Sequence, residues 1–358
     1  MRSRPSAAAL PLLLVLAALL ASGCGDAVRE HLAPTTATAP GTTSATTTAA
    51  RTCNGLATLC DRRLDAVVFP GTHNSYAASS EPGWHFANQT YGIRRQLDDG
   101  IRALLIDVHF GVPDAQSPDV VRTDLRAEGS DRNKVAKIVG PTALRLADRL
   151  GGRVGVASLE GTPRPYLCHA LCELGAEPLA DELAVLRRFL DAHPTTVLVA
   201  IVEDYVPPAV IEQAFDDAGL LPFVATLDRD RPLPTLGTLI DQGRRLVVFA
   251  EDHGGKPPWY MDAFSFIQDT PLGARHPGQL RCDRFRGEPD SPLLLINHWV
   301  DVYPPVPQLN APISTAAAIR RRVERCTEER GVPGAIVAVD FHQRTAVVRV
   351  AHQLNERP

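Results

Sequence analysis

The sequence predicts an α/β fold, a TIM-like (β/α) barrel that is irregular or incompletely closed. Seven short apolar runs, of the kind that form buried parallel strands, recur within residues 51–358 and are separated mostly by amphipathic helical patterns. These runs turn abruptly polar at their C-terminal ends, where a parallel barrel keeps its chemistry. No glycine-rich dinucleotide fingerprint follows the first run, which leaves a doubly wound open sheet as the structural alternative.

The chain opens with Arg2 and Arg4 ahead of an apolar stretch at 10–20, too short for a comfortable membrane span, so residues 1–24 read as an export signal. Its end, Leu20-Ala21-Ser22-Gly23-Cys24, resembles a bacterial lipobox, with Cys24 as the lipidation site; an ordinary secretory signal is the other reading. Residues 25–50 are rich in Thr, Ala and Pro, cannot bury a core, and form a disordered tether of roughly 30 Å. The expected location is a bacterial membrane, at the cell surface or facing the periplasm, or otherwise the medium. Setting Cys24 aside leaves six of the seven cysteines, an even set that favours disulfides in an exported chain. Proximity pairs Cys53 with Cys60 and Cys168 with Cys172, leaving Cys282 with Cys326. A zinc site at Cys168, His169 and Cys172 is the rival.

Residues 51–358 suit one domain. The first apolar run, 67–69, ends in Pro70-Gly71 and delivers Thr72-His73-Asn74-Ser75 at its tip. A polar helix-like segment leads to the second run, 103–106, which ends on Asp107-Val108-His109. Residues 113–163 break the rhythm, with mixed charges and a helical pattern at 141–150. They read as an insertion over the barrel mouth, a lid or substrate-facing flap, or else as a surface excursion. A short strand at 166–168 is tipped by His169. A helix at 178–193 aligns Leu179, Leu183, Leu186, Phe189 and Leu190 on one face and stops at Pro194. The run at 196–202 ends in Glu203-Asp204-Tyr205, and Pro208 starts a helix at 210–218 closed by Gly219. Runs at 246–250, 293–296 and 335–339 end in Glu251-Asp252, Asn297-His298-Trp299 and Asp340-Phe341-His342, with helices at 313–330 and 345–354.

A barrel would gather His73, Asn74, Asp107, His109, His169, Glu203, Glu251, Asp252, Asn297, His298 and Asp340 on one rim. Two histidines suit phosphodiester cleavage, one taking a proton from the attacking hydroxyl and one protonating the leaving oxygen. A carboxylate behind the base histidine fixes its tautomer. Further carboxylates with an Asn amide oxygen can hold a hard cation against the phosphate. Net charge is −4, and no basic block or basic–aromatic stripe points to nucleic acid.

Four ordered segments carry a resemblance: PGTHNSY at 70–76, QLDDGIRALLIDVHFG at 96–111, YLCHALCELG at 166–175 and VLVAIVEDYV at 197–206. Together they resemble the X-domain of phosphatidylinositol-specific phospholipase C and related PLC-like phosphodiesterases. The resemblance is closest to a bacterial and plant branch with NQ-Y-I-QLDDGIR, LCH and EDYV segments. It covers most of residues 53–358, with the insertion as the main departure. It implies that His73 is the base toward an inositol 2-hydroxyl or the stabiliser of the phosphorane. His169 is then the general acid for the glycerol leaving group, and Asp340 orients His73. Asn74, Asp107 and Glu203 resemble ligands of Ca²⁺, with Mg²⁺ as the substitute. In metal-independent bacterial members, cationic side chains stand where Asp107 and Glu203 fall and an aspartate follows the first histidine. The exchange makes sense if a cation supplies the missing positive charge. Leu105 stands where the metal-dependent pattern has a carboxylate, and a register shifted by two would set His109 at a cationic position.

Smaller expectations complete the reading. Trp84 caps the substrate ring, meets the membrane or is structural; His109, Asn297 and His298 are candidate head-group contacts. Arg102 closes a strand-edge salt bridge, and Pro257-Pro258-Trp259-Tyr260 is a packed loop. The expected activity is that of a phosphoric diester hydrolase, acting by internal hydroxyl attack on a phospholipid or other phosphodiester at a membrane surface reached through the lipid anchor. A glycerophosphodiester phosphodiesterase ranks lower, since such enzymes usually begin His-Arg-Gly where this chain has His73-Asn74-Ser75. A non-catalytic lipoprotein that binds sugar phosphates or lipids is the third reading, against which both histidines are present.

Overall fold

The computed structural model describes residues 51–357 apart from 118, 157 and 158. The expected signal, the Cys24 lipidation site and the tether lie outside the described residues. Eleven strands follow in chain order: β1 (Val68–Thr72), β2 (Ala103–Pro113), β3 (Val121–Thr123), β4 (Arg164–Leu167), β5 (Glu177–Pro178), β6 (Leu198–Asp204), β7 (Leu246–Ala250), β8 (Tyr260–Asp262), β9 (Ile267–Asp269), β10 (Leu293–Asn297) and β11 (Ala335–Val339). A parallel sheet runs β8-β7-β6-β2-β1-β11-β10-β9. It is an open, curled barrel: among the described residues no ladder joins β8 to β9, each three residues long.

The strands read as continuous apolar runs because both faces are buried. Side chains of one phase, such as Leu104, Ile106, Leu198, Ala200, Val248 and Val337, pack under the helices Leu179–Ala192, Pro208–Asp217, Ala316–Arg330 and Val347–Asn355. The opposite phase, including Phe69, Leu105, Ile201, Phe249, Leu295 and Ala338, fills the barrel interior. Those four helices fall close to the ranges expected from periodicity.

Three expectations need correction, and two strands are new. The segment at 166–168 is not a barrel stave: β4 pairs antiparallel with β2, Val108 opposite Leu167, and returns toward the rim from outside. The second run does not stop at 106, because past Val108 the edges of β2 are taken up by β4 and β3. Strands β8 and β9 are too short to show a pattern in sequence. The helix expected at 141–150 is the second half of Arg132–Gly151, which breaks at Gly140 (φ 76°, ψ 170°) ahead of Pro141. Asp131 caps its start by accepting from the Asn133 and Lys134 amides.

The three disulfides are Cys53–Cys60, Cys168–Cys172 and Cys282–Cys326, which consumes the thiols a zinc site would need. The chain end is tied to the sheet by one side chain. Because β2 joins β1 only at Gly71 and Thr72, the start of β1 lacks a strand on that side. Buried Asn355 takes that place, accepting from Val68 N at 2.9 Å and donating to Val68 O at 2.8 Å. Asn355→Ala leaves both backbone groups unpaired and should cost about 2–4 kcal/mol in urea unfolding; a loss within error of zero would contradict this anchoring role.

Candidate active site

Strand phase decides which residues reach the cleft. On β2 and β6, Leu105 and Ile201 face the interior, so Asp107 and Glu203, two residues on, face it too. They are also direct register partners. The same phase carries Phe69 to His73, Phe249 to Glu251, Leu295 to Asn297 and Ala338 to Asp340. All six of these polar residues line one cleft of about 240 Å³.

His73 is held from three directions. Its Nδ1 lies 2.9 Å from Asp340 Oδ1, and the acceptor-only carboxylate makes Nδ1 the protonated nitrogen. Trp299 stacks on the ring, with centroids 3.9 Å apart and planes 8° apart. Gln89 donates to the His73 and Val339 carbonyls at 2.8 and 3.0 Å, fixing the loop to β11. Gln96 does similar work one turn on, donating to Ser75 O and Tyr91 O. Asn74 follows at φ 42°, a left-handed conformation that Asn tolerates better than most residues.

His169 sits inside the Cys168–Cys172 disulfide loop, followed by Ala170 at φ 59°. Its Nδ1 is 3.1 Å from Asp107 Oδ2 and 3.3 Å from Asn74 Nδ2. Asn74 Nδ2 also donates to Asn88 Oδ1 at 3.1 Å, and Asn88 Nδ2 donates to both Asp340 oxygens at 3.2 and 3.3 Å. One hydrogen-bonded chain therefore runs from His73 through Asp340 and Asn88 to Asn74. His169 donates its Nδ1–H to Asp107 and lies against Asn74 Nδ2 as a neighbour, since two N–H donors do not bond to each other. Both imidazoles are engaged through Nδ1, and among the described residues nothing is hydrogen-bonded to either Nε2.

The electrostatics separate the two carboxylates on β2 and β6. Burial alone would push Asp107 up, but the His169 hydrogen bond and charge outweigh it and hold the carboxyl below its ordinary range. Burial raises Glu203, and the neighbouring Asp107 charge raises it further against a hydrogen bond from Tyr205. Burial lowers the His169 pKa, yet Asp107, Glu203 and Asp301 more than reverse this, so its cationic form is favoured. Asp340 is raised, chiefly by burial, with His73 opposing. On the floor, Arg286 bridges Glu251 at 2.6 Å and Asp269 at 2.7 Å, while burial lifts Glu251 to about 7. Asn297 donates to Thr270 O at 2.6 Å, and its buried Oδ1 has no partner among the described residues.

Of the three expected cation ligands, Asp107 and Glu203 stand side by side, while Asn74 Oδ1 accepts from Tyr76 at 3.3 Å. The described residues hold no group of three or more His, Cys, Asp or Glu arranged for a metal. Asp107 stays ionised beside Glu203, whose carboxyl its charge raises; two adjacent carboxylates are a donor set that fits a weakly held hard cation.

Other expected residues lie elsewhere. Trp84 Nε1 donates to Glu177 at 2.8 Å and packs against the outer core, away from the cleft. His109 is buried, 3.1 Å from Glu128 and stacked on Tyr205, because β4 covers β2 at that level. His298 is buried on Ile313 O at 2.9 Å. Arg102 donates to the Leu97 carbonyl at the end of the helix Ile93–Asp98 and to the Ile101 carbonyl beyond it, and forms no salt bridge among the described residues. Sequence reasoning missed Asn88, Arg275, Arg286, Asp301 and Tyr303 as lining residues. Of these only Asn88 carried a signal, within the NQ segment.

The sequence model of the family described as PI-PLC X 1 matches residues 158–355, more than half of the chain. The chain belongs to the PI-PLC X family. The match includes His169, Glu203 and Asp340 and begins after His73, Asn74 and Asp107. A similar curated protein is "PI-PLC X domain-containing protein 1" of Arthroderma benhamiae, 26% identical over 264 residues, spanning 70% of this chain and 69% of that protein. An "Uncharacterized secreted protein" of the same fungus is 25% identical over 231 residues, 62% of this chain and 40% of its own length. These relatives are fungal and lend no support to a bacterial and plant branch. Among solved structures, the phosphatidylinositol-specific phospholipase C of Listeria monocytogenes superposes with TM-score 0.49 at 14% identity, covering 84% of this chain and 98% of that one. The corresponding Staphylococcus aureus protein gives 0.43 at 12%, covering 82% and 93%.

In this PI-PLC X protein the ionic state of His169 depends on Asp107. Asp107→Asn removes the largest of the charges that oppose burial and leaves only Glu203 and Asp301 against it, so the His169 pKa should fall. An NMR titration of the ring checks this; an unchanged midpoint would contradict the pairing.

Proposed function

We propose that the protein is a phosphoric diester hydrolase of the phospholipase C type, cleaving by internal attack of a hydroxyl neighbouring the ester. The observation that carries this reading is that both imidazoles are held through Nδ1 in one cleft, His73 on Asp340 and His169 on Asp107, with no hydrogen bond to either Nε2 among the described residues. His73 Nε2, with Nδ1–H on Asp340, takes the proton of the attacking hydroxyl, whose oxygen then bonds to phosphorus. His169, kept cationic by Asp107, gives its Nε2 proton to the departing glycerol oxygen as the P–O bond breaks. The products are a cyclic phosphate and a diacylglycerol-type alcohol. Asn297 Oδ1 and the carboxylates on the floor accept hydrogen bonds from the hydroxyls of the head group.

Asp107 and Glu203 would hold a divalent cation, Ca²⁺ or Mg²⁺, which supplies positive charge beside the phosphate when bound. Three disulfides and a relative described as secreted support action outside the cytoplasm. Export through residues 1–24 and anchoring at Cys24 belong to the same proposal. The cleft is too small to take in two acyl chains along with the head group, so the chains stay outside the mouth.

Phosphorus NMR on phosphatidylinositol micelles tests the reading. A cyclic inositol phosphate should appear with Ca²⁺, diminish with chelator and be absent with His169→Ala. Full turnover by His169→Ala would sink the assignment, and turnover indifferent to chelator would remove the cation from it.

A further inference from the structure

The helix Arg132–Gly151 places a cationic surface beside the mouth of the cleft. Its buried side, Val135, Val139, Ala143 and Ala147, packs against Ala170 and Leu171 next to His169, which fixes the helix to that wall. Its exposed residues include Lys134, Lys137, Arg145 and Arg149 and no carboxylate. Asp148, the one acid in the helix, lies on Arg132 at 2.6 Å. Asp131, just before the helix, has its carboxylate on the amides of the first turn. Five basic residues against one acid stand out in a chain whose net charge is −4.

Apolar side chains stand beside these cations. Ile138, 56% exposed, shares the exposed side of the helix and also lines the cleft. Leu272, 41% exposed, lines the same cleft and is followed by exposed Arg275. Large apolar residues left in water at a cleft mouth and flanked by cations match a surface that dips shallowly into an anionic lipid layer. The cleft floor carries Asp107, Glu203 and Glu251, so attraction to anionic lipid has to come from the lip.

We propose that Lys134, Lys137 and Ile138 on this helix, with Leu272 and Arg275, seat the mouth of the cleft on an anionic phospholipid bilayer. This inference rests on the proposed function, in which a lipid diester must pass from a bilayer into the cleft. The cations draw the protein to the surface over a salt-dependent range, and Ile138 and Leu272 enter the acyl boundary. A lipid head group then has a short path to His169.

Co-sedimentation of the full chain with two vesicle types tests it: phosphatidylcholine alone, and phosphatidylcholine mixed with phosphatidylglycerol. Any N-terminal anchor is common to all variants, so preference for the phosphatidylglycerol vesicles is the readout. The parent should prefer them, and added salt should weaken the preference. Lys134→Glu/Lys137→Glu should reduce it by on the order of tenfold or more, and Ile138→Asp should weaken binding to both vesicle types. Cleavage of soluble glycerophosphoinositol by the double lysine variant should match the parent. Equal binding to both vesicle types, or a double variant that binds like the parent, would overturn the proposal. So would lysine-dependent retention on heparin without vesicle binding, which would assign the helix to another polyanion. A parent that binds vesicles but cleaves no diester would instead remove the proposed function and leave the docking surface standing.

Discussion

The register of the parallel ladder is the constraint on which the rest of the structure depends. Thr72 opposes Val339 and Asp107 opposes Glu203, so each strand presents its next interior-phase residue at nearly the same height. Slippage by one residue in any strand would turn that residue under the helices and place an apolar side chain in the cleft. The apolar interior of Phe69, Leu105, Ile201, Phe249, Leu295 and Ala338 is what forbids the slip. Packing energy in the barrel thus becomes positional accuracy at its mouth.

Above that layer, accuracy passes to hydrogen bonds. Asn88 comes from the loop after β1, yet it joins both Asp340 oxygens to Asn74, whose side-chain nitrogen lies 3.3 Å from His169 Nδ1. Buried carboxylates are costly unless satisfied, and here Asp340 and Asp107 each face an imidazole. The arrangement makes the two histidines one unit with a shared scaffold rather than two independent groups. The Cys168–Cys172 loop and the helix packed on Ala170 and Leu171 close that unit on the side where no barrel strand supports it.

Much of this was legible in sequence, for identifiable reasons. Runs at 246–250, 293–296 and 335–339 are apolar throughout because they are buried on both faces, and their polar ends marked Glu251, Asn297 and Asp340. The antiparallel placement of β4 was not legible, since a short apolar run looks alike in either direction. That placement also moved His109 from the rim to a buried contact with Glu128. Arg275, Arg286 and Asp301 come from loops with no periodicity, and only folding brings them to the cleft. Asp107 was read as a cation ligand by resemblance. Its hydrogen bond to His169 depends on a loop some sixty residues away, at a sequence separation of 62.

The central claim is that His73 and His169 act together on one substrate. Kinetics of His73→Ala, His169→Ala and the double variant on the same diester test it most directly. Residues that work as a unit lose nearly everything on the first removal, so the double variant should be no worse than either single variant beyond a few-fold. Losses that multiply, or a single variant close to the parent, would contradict the account.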